Sequence, residues 1–433
     1  IKPTGLKISK NPTELNLQEF KYSEMWYKYD NTFKIPKVTC EYVLYNDDFY
    51  KKTEHVVLLS LYLSIIDHKL NPQMYYANQF QSGYSYNISS DHISILFYGF
   101  LGNIEKIVDL YLNIFNNPKI TEEEFNAAKY EMYIDVKNFP YEYPYIIASD
   151  FFHEKLYNIN HTNKEVMDAL SNLTYHDIDA PRKYFVNKCK IKSFYYGNIN
   201  KNIITTLESK FSKFCTKVKS IEKHKKINLL LDGEQHTYIK KSINPDETNN
   251  LIFLFFEIDN IIKNVTKNWD INTLSVILIE NFLHEKFFTQ LRTKEQTGYI
   301  VKSFVNNYAN ERGHMTGIGF MIQSHIYPNE LRDRIKKFIK DSYDELKNTD
   351  NNDIDILKHS LEIKLKRKFE SQGEEFGFML SEIVSGEYIF DAQELLAKKL
   401  KEINKTVLVE LYEKWLLNKD TRKIRIFELY KYK

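Results

Sequence analysis

The chain contains the segment Leu291-Arg-Thr-Lys-Glu-Gln-Thr-Gly-Tyr-Ile300, in which an apolar helical pattern ends in polar residues and a strand pattern begins. The preceding run, Ile271–Phe288, has the length and apolar spacing of a helix. Gly298 permits a tight turn or a close approach of two backbones, because it has no Cβ atom. The segment therefore predicts a helix-to-strand junction, with Arg292 on the helix and Tyr299 at the start of the strand.

A shorter version of this junction lies 215 residues earlier in the chain, where Gln81-Ser-Gly-Tyr84 matches Gln296-Thr-Gly-Tyr299. It also follows an apolar helical pattern, His55–His68. A match at this separation indicates an internal repeat of domain length, and such a repeat constrains the fold more than any single motif.

The elements predicted around the two tetrapeptides follow the same order: strand, helix, strand pair, two helices, helix, strand. In that order, the elements of the first copy are Val38–Tyr45, His55–His68, a strand pair ending in Ile93–Phe100, Ile104–Phe115, Thr121–Asn138, Lys183–Lys188 and Ile191–Tyr196. The elements of the second copy are Leu251–Phe256, Ile271–Phe288, a strand pair ending in Gly317–Ile322, Asn329–Leu346, Ile354–Phe369, Lys414–Lys419 and Ile424–Leu429. This order predicts an α+β fold of two homologous domains, each a largely antiparallel sheet with helices packed on one face.

The predicted domains cover residues 1–216 and 229–433, and a basic linker poor in apolar residues covers residues 217–228. Two unrelated α+β domains can also share a loose element order. The matched tetrapeptides and the matched closing helix and strand favour the repeat over that alternative.

Composition argues against a nucleic-acid or membrane partner, because 60 basic and 58 acidic residues leave a net charge of only +2. The longest apolar runs, such as Leu251–Phe256, are far shorter than a membrane span. Three cysteines, Cys40, Cys189 and Cys215, lie too far apart in sequence for a disulfide framework or a zinc ribbon. We therefore expect a reducing, cytoplasmic location.

The sequence lacks a self-contained catalytic centre. Its twelve histidines form neither H-E-x-x-H nor H-x-x-E-H, and the pairs His153-Glu154 and His284-Glu285 each lack a second histidine one turn away. We therefore expect no metal ligand in this chain. G-x-S-x-G and Walker A motifs are also absent, and Cys40 lies in a strand pattern that predicts a buried, inert thiol.

Arg292 and Tyr299 are the best remaining candidates for a binding site. A guanidinium and a phenol from one helix-to-strand junction can converge on a ligand, the first as a fork of donors and the second as a single donor aimed at a carbonyl. The alternative is structural: Arg292 pairs with a nearby carboxylate, and Tyr299 fills the face of the sheet.

The segment Leu291–Ile300 resembles the hallmark of the C-terminal half of the insulysin-type metallopeptidases, in the pitrilysin (insulinase) family. Four further segments carry the same resemblance: Glu24–Asp30, Phe33–Lys37, Tyr196-Gly-Asn-Ile199, in which Tyr196 replaces a histidine, and Phe320–Ser324. Together they extend the resemblance from about Phe20 to about Leu429.

The resemblance implies that this chain corresponds to the third and fourth of four homologous α+β domains that enclose peptides in a chamber. Zinc would be bound by an H-x-x-E-H motif in the N-terminal half and not by this region, which fits a chain that begins at Ile1. Arg292 would orient the substrate backbone, Tyr299 would stabilise the scissile carbonyl, and Gly298 would belong to the same substrate-binding segment. We therefore expect this chain alone to be inactive.

The resemblance also implies partners: the N-terminal catalytic half, in the same chain or a separate one, peptide substrates, and a second copy in a homodimer. Lys364, Lys366, Arg367 and Lys368 match a basic run that binds polyanions in the family, although such runs are commonly a solvated helix face. The first copy has Met74–Ala77 where the hallmark has Leu-Arg-Thr-Lys, so we interpret the third domain as structural. The alternative function is a non-catalytic scaffold or inactive subunit of the same family.

Overall fold

The computed structural model describes residues 13–14, 23–89, 92–185, 189–214, 227–258, 268–310 and 313–432. Its strands are β1 (Thr13–Glu14), β2 (Ser23–Tyr29), β3 (Lys37–Tyr45), β4 (Gly83–Ile88), β5 (His92–Phe100), β6 (Lys190–Gly197), β7 (Gln235–Lys241), β8 (Asn250–Ile258), β9 (Ile300–Asn310), β10 (Gly313–Ser324) and β11 (Lys423–Tyr430). Its α-helices are α1 (Asp47–Tyr50), α2 (Thr53–Gln79), α3 (Leu101–Asn116), α4 (Glu122–Asn138), α5 (Pro144–Leu156), α6 (Asn163–Asn172), α7 (Lys201–Phe214), α8 (Trp269–Phe287), α9 (Pro328–Asn348), α10 (Asn351–Lys366), α11 (Gln372–Ser385), α12 (Ala392–Lys399) and α13 (Lys405–Tyr412).

The chain forms two compact units, and each is discontinuous in sequence. Unit 1 comprises residues 1–137, 159–225 and 369–384, and unit 2 comprises 138–158, 226–368 and 385–433. Helix α5 therefore belongs to unit 2, and α11 to unit 1. The domains predicted from the sequence, 1–216 and 229–433, are contiguous and separate the two copies of the repeat. These boundaries remain a proposal. Residues 217–226 of the proposed linker, like Cys215, lie outside the described residues.

Each unit is built on one mixed sheet. The strand order in unit 1 is β1-β2-β6-β3-β5-β4, and in unit 2 it is β7-β11-β8-β10-β9. Each sheet has one parallel pair, β2 with β6 and β7 with β11, and its other pairs are antiparallel. The predicted α+β class with largely antiparallel sheets is confirmed.

Helices cover both faces of the unit 2 sheet, whereas the sequence predicts helices on one face only. Alternate residues of β8 point to opposite faces. Ile252, Leu254 and Phe256 join one core cluster with residues of α8 and α9. The intervening Leu251, Phe253 and Phe255 join a second cluster with residues of α5. This double burial explains why β8 is continuously apolar.

In unit 1, the second face of the sheet is covered by α11. The Phe376 ring stacks on Phe194, with 5.0 Å between the ring centroids. The Lys28 Nζ atom lies 2.8 Å from Glu375 Oε1, and both side chains are buried. Tyr196, which stands where the resemblance leads us to expect a histidine, donates its hydroxyl hydrogen to the other oxygen of Glu375. The replacement thus packs against α11 and forms part of a buried ion-pair cluster.

Local sequence signals account for some helix boundaries and mislead at others. The predicted capping box of α4 is confirmed, since Glu124 N donates to Thr121 Oγ1 at 3.2 Å and Thr121 N to Glu124 Oε2 at 2.8 Å. Helix α2 extends to Gln79, beyond the predicted end at His68, and includes Pro72. Its apolar face continues through the buried Leu70 and Met74, so packing offsets the proline. Among the described residues, no helix is both long and apolar enough to span a membrane.

A buried ion pair joins three segments of unit 2. The side chains of Arg425 on β11 and Glu257 on β8 are each 2% exposed and contact one another. Arg425 also donates to the Lys155 carbonyl oxygen at 3.3 Å and to the Asn228 carbonyl oxygen. Glu257 accepts a hydrogen bond of 2.9 Å from Leu230 N. The pair thereby holds the end of α5 and the entry segment of unit 2 against the sheet.

We expect Arg425→Met to lower the free energy of unfolding by about 3–5 kcal/mol, because it leaves Glu257 buried without its cation. Denaturant unfolding of the chain measures this loss. Lys347→Met, which removes an exposed partner of Asp344 at 2.9 Å, is the control and should change stability by less than about 1 kcal/mol. Equal effects of the two substitutions would contradict the role given to Arg425.

Candidate functional site

The Leu291–Ile300 segment forms the predicted helix-to-strand junction. Helix α8 ends at Phe287, and a π-helical segment, Phe288–Lys294, continues from it. Wider turns of this kind are rare and occur frequently at functional sites. Strand β9 begins at Ile300, so Arg292 and Tyr299 lie on the two sides of the turn, as the sequence predicts.

The turn is held by hydrogen bonds to buried groups. Gln296 has a φ of 50°, which reverses the chain direction. The following residue, Thr297, is fully buried, and both its backbone N–H and its hydroxyl donate to the Leu291 carbonyl oxygen at 2.9 Å. Ser324, at the end of β10, donates its hydroxyl hydrogen to the Thr297 carbonyl oxygen. The turn is therefore fixed to both the helix and the sheet.

Gly298 sits where the turn passes closest to β10. A Cβ atom at this position would lie 2.1 Å from the Gln323 carbonyl oxygen. That oxygen belongs to the backbone of a paired strand and has little freedom to move. Of the two reasons that the sequence offered for this glycine, a tight turn or a close backbone approach, the structure supports the close approach. Gly298 does not have a positive φ.

Arg292 and Tyr299 stack on each other at the surface. The guanidinium carbon of Arg292 lies 4.9 Å from the Tyr299 ring centroid and 4.9 Å from that of Phe288. Tyr299 is 82% exposed, so it projects from the sheet and does not fill its face. Within the described residues Arg292 makes no ion pair. The guanidinium thus makes cation–π contacts with both rings.

We did not predict Phe288 as a site residue, although its spacing from Arg292 indicates that the two side chains lie together. The two residues are four apart on a helical segment, and side chains at that spacing lie on the same face. An aromatic residue one turn before the arginine is therefore the feature that could have identified the stack. Thr297 and Ser324 had no comparable signal, because their contact depends on the pairing of β9 with β10.

The first copy has the same turn but uses its tyrosine differently. Gln81 has a φ of 51°, and the fully buried Ser82 donates its N–H to the Ala77 carbonyl oxygen at 3.0 Å. The Tyr84 hydroxyl donates to Asp67 Oδ1 at 2.7 Å. Burial, followed by this hydrogen bond and the charge of Asp67, raises the pKa of Tyr84. The Tyr84 hydroxyl hydrogen is therefore used in a hydrogen bond within the fold, whereas the hydroxyl of Tyr299 is exposed.

The histidines of the two histidine-glutamate pairs, His284 and His153, both contact neighbouring side chains of the fold. His284 Nδ1 lies 2.8 Å from Glu280 Oε1, which also accepts a 2.9 Å hydrogen bond from Ser303 Oγ. The His153 ring packs edge to face with Tyr308 at 5.7 Å between centroids. In the part of the chain that the structure describes, no three His, Cys, Asp or Glu side chains are grouped so that they could hold a metal ion. These residues do not fit a zinc site.

The basic run lies at the end of α10 and just after it. Lys364 and Lys366 are in the last turn of the helix, and Arg367 caps it. Lys366 Nζ lies 2.5 Å from Glu362 Oε1. Of the four basic residues, Lys366 alone lines a neighbouring cavity of about 570 Å³, whose wall also carries Asp355, Glu362 and Glu394. The structure therefore places this run beside a surface of mixed charge.

Two family models match separate parts of the chain. Residues 3–169 match the middle or third domain of peptidase M16, and residues 278–379 match domain 4 of the C-terminal lobe of PqqF-like PQQ synthase. The order, a third domain followed by a domain 4, is consistent with the C-terminal half of an insulinase-like protein. The chain is thus related to the peptidase M16 (insulinase) family, as its junction segment predicts.

Curated relatives agree with this family relationship. A nardilysin-like protein of Arabidopsis thaliana is 24% identical over 90% of this chain and 38% of its own length. The insulin-degrading enzyme of Drosophila melanogaster is 24% identical over 99% of this chain and 43% of its own length. The chain therefore spans less than half the length of these relatives.

Solved structures show the same fold. Pitrilysin superposes with a TM-score of 0.85 at 16% identity, over 98% of this chain and 44% of pitrilysin. A structure described as a peptidase M16 inactive domain from Pseudomonas fluorescens superposes with a TM-score of 0.69 at 12% identity, over 97% of this chain and 98% of the other. The two-unit fold thus occurs both within a longer peptidase and as a chain of about this length.

We expect Gly298→Ala to displace the turn and to destabilise the chain by about 1–3 kcal/mol, the usual range for overpacking a rigid contact. Thermal or denaturant unfolding measures the change. Gly377→Ala is the matched control, because a Cβ atom there meets nothing within 4 Å and alanine favours a helix interior by about 0.5–1 kcal/mol. If both variants were equally stable, the turn would not depend on the close approach to Gln323.

Proposed function

We propose that this chain is the C-terminal half of an insulinase-type zinc metalloendopeptidase that degrades peptides in a closed chamber. The observation that carries this proposal is the exposed Tyr299 stacked on Arg292, on a turn fixed by Thr297 and Gly298. A purely structural junction has no need of an exposed aromatic–guanidinium pair, and the equivalent tyrosine of the first copy, Tyr84, is tied to Asp67.

Each residue of the pair has a distinct chemical role in the proposal. Arg292 offers a planar fork of N–H donors that suits the carbonyl groups of a substrate backbone. The Tyr299 hydroxyl donates a hydrogen bond to the scissile carbonyl oxygen as negative charge develops on it, and such stabilisation is often the largest single contribution to acyl-transfer catalysis. Gly298 keeps the turn close to β10 and thereby sets the position of Tyr299.

Zinc belongs to the other half in this proposal. Members of the M16 family are zinc metallopeptidases, and the metal supplies an activated water for hydrolysis. The described residues of this chain do not group into a metal site, so we assign zinc to the N-terminal half, in the same chain or in a separate one. The present chain contributes donors to the substrate.

A second candidate function is a non-catalytic scaffold or inactive subunit of the same family. It is favoured by the superposition on the Pseudomonas fluorescens inactive domain, which is covered over 98% of its length. That structure, described as an inactive domain, has the same two-unit fold. The scaffold function predicts that substitution of the exposed pair leaves turnover of any associated peptidase unchanged.

The remaining proposals concern partners and location. We infer that peptides are the substrates, that Lys364, Lys366, Arg367 and Lys368 form a polyanion-binding patch, and that the protein can form a homodimer. Cytoplasmic location is proposed because Cys40 and Cys189 are buried free thiols, as expected where disulfides are not used. A relative in Arabidopsis thaliana is described as peroxisomal, so fluorescence localisation with organelle markers is the test.

We expect Tyr299→Phe to lower kcat of the enzyme reconstituted with its zinc-bearing half by roughly 10- to 100-fold. The ring and its stack on Arg292 are kept, and only the hydroxyl donor is lost, which typically costs orders of magnitude in rate. Hydrolysis of a quenched fluorogenic peptide measures the effect. Tyr130→Phe, at a tyrosine that is 65% exposed, is the matched control and should leave kcat unchanged.

Turnover within about twofold of the unsubstituted enzyme would remove the carbonyl-stabilising role and favour the scaffold. Arg292→Lys provides a second measurement, because lysine keeps the charge but loses the planar fork. It should mainly raise KM. A lower kcat in Tyr299→Phe together with a higher KM in Arg292→Lys, both in folded protein, would support the site, whereas no effect in either variant would oppose it.

We expect residues 1–433 alone to be inactive toward the same fluorogenic peptide. The described residues lack a grouped metal site, and Arg292 and Tyr299 supply donors but no nucleophile. The assay is run with and without EDTA on protein purified free of trace protease. Hydrolysis that EDTA abolishes would overturn the division of roles between the two halves.

A further inference from the structure

An aromatic groove lies on the second face of the unit 2 sheet, beside strand β9. Its volume is about 550 Å³, and it is lined by Tyr145 and Phe152 of α5 and by Lys302, Phe304, Asn306 and Tyr308 of β9. These β9 residues alternate along the strand, so they share one face. The intervening Ser303 faces α8, where its hydroxyl bonds to Glu280. The groove is thus the part of this sheet face that α5 leaves uncovered.

Two glycines of β10 leave room for aromatic rings on this face of the sheet. A Cβ atom at Gly319 would lie 2.5 Å from ring carbons of Phe304, and one at Gly317 would lie 2.2 Å from the Phe255 ring. Any other residue at these positions would lift the rings off the sheet. The Phe304 ring therefore lies directly over Gly319 of β10 and contributes an apolar surface beside β9.

Among the described residues, β9 is the last strand of the sheet, so half of its backbone N–H and C=O groups point away from β10. An exposed edge of this kind is a template for an added strand from another chain. The strand begins one residue after Tyr299. A peptide paired with β9 would therefore pass within roughly 10 Å of the candidate site, given about 3.3 Å per strand residue.

The charge at the groove is a single cation. Lys302 is exposed and lies over the Phe304 ring, with Nζ 5.4 Å from the centroid. Within the described residues it makes no ion pair, and no acidic side chain lines the groove. A ligand with a carboxylate close to an apolar side chain would complement both features.

We propose that the aromatic groove and the edge of β9 bind one strand of an extended peptide substrate. One apolar or aromatic side chain of the peptide enters the groove, and an acidic side chain two residues away pairs with Lys302. The spacing follows from strand geometry, because residues i and i+2 face the same side. The proposal rests on the proposed function in that it names a substrate subsite for the same enzyme half.

Binding of labelled peptides to the 433-residue chain tests the proposal without catalysis. The probes are fluorescein-labelled, threonine-rich peptides of about ten residues that contain Phe-Thr-Asp, Phe-Asp-Thr or Phe-Thr-Lys, and fluorescence polarisation measures Kd. We expect Phe-Thr-Asp to bind roughly three- to fivefold more tightly than the other two, the range of one exposed ion pair. The Phe-Asp-Thr peptide has the same composition but directs its acid to the opposite face.

Two substitutions address the two halves of the subsite. Lys302→Glu should reverse the preference, so that Phe-Thr-Lys binds more tightly than Phe-Thr-Asp. Ser149→Trp, at an exposed position of α5 in the groove wall, should fill the groove and weaken all three peptides at least fivefold. Lys340→Glu, an equal charge change at an exposed position of α9, is the control and should preserve the original order. Circular dichroism verifies that each variant is folded.

Equal Kd values for the three peptides, or the same reversal in Lys340→Glu, would overturn the proposal. A preference that survives Lys302→Glu would also overturn it. These outcomes are separate from failure of the proposed function, because that function is tested by kcat of the reconstituted enzyme with Tyr299→Phe. A scaffold with no catalytic role can still bind peptides at β9, and an active enzyme can lack this subsite.

Discussion

The burial of strand β8 on both faces is the constraint on which unit 2 depends. All nine of its residues are buried, so a single layer of helices would leave one apolar face in water. Helices α8 and α9 cover one face, and α5, from a distant part of the chain, covers the other. Because α5 is only 13 residues long, it covers part of that face and leaves the aromatic groove beside β9.

Each unit buries an ion pair that joins its sheet to a neighbouring segment. Arg425 with Glu257 in unit 2 and Lys28 with Glu375 in unit 1 each lie almost wholly out of water. A buried pair of this kind contributes little net stability, but loss of one partner is costly. In each unit the pair joins the sheet to a segment on its second face, α5 or α11. The pairs therefore specify which segment packs there, in addition to the apolar contacts.

The two copies of the junction show how one backbone arrangement serves two purposes. Both turns have a glutamine in a left-handed conformation, a buried hydroxyl residue, a glycine and then a tyrosine. In the first copy the tyrosine hydroxyl is bonded to Asp67. In the second, the Tyr299 ring contacts Arg292, which also contacts Phe288, and Tyr299 is 82% exposed. The difference lies in the preceding helix turn and not in the turn itself.

The sequence by itself determined the α+β class, the repeat, most strand and helix cores, and the junction that carries Arg292 and Tyr299. These features depend on local periodicity and on short motifs, which a linear pattern records. It did not reveal that α5 and α11 each pack in the unit built mainly from the other half of the chain. It also did not reveal the bond from Ser324 to Thr297, or the groove between α5 and β9. Those features were decided by the tertiary structure, because they require residues far apart in sequence to meet across a sheet, and no local pattern encodes which distant face they will cover.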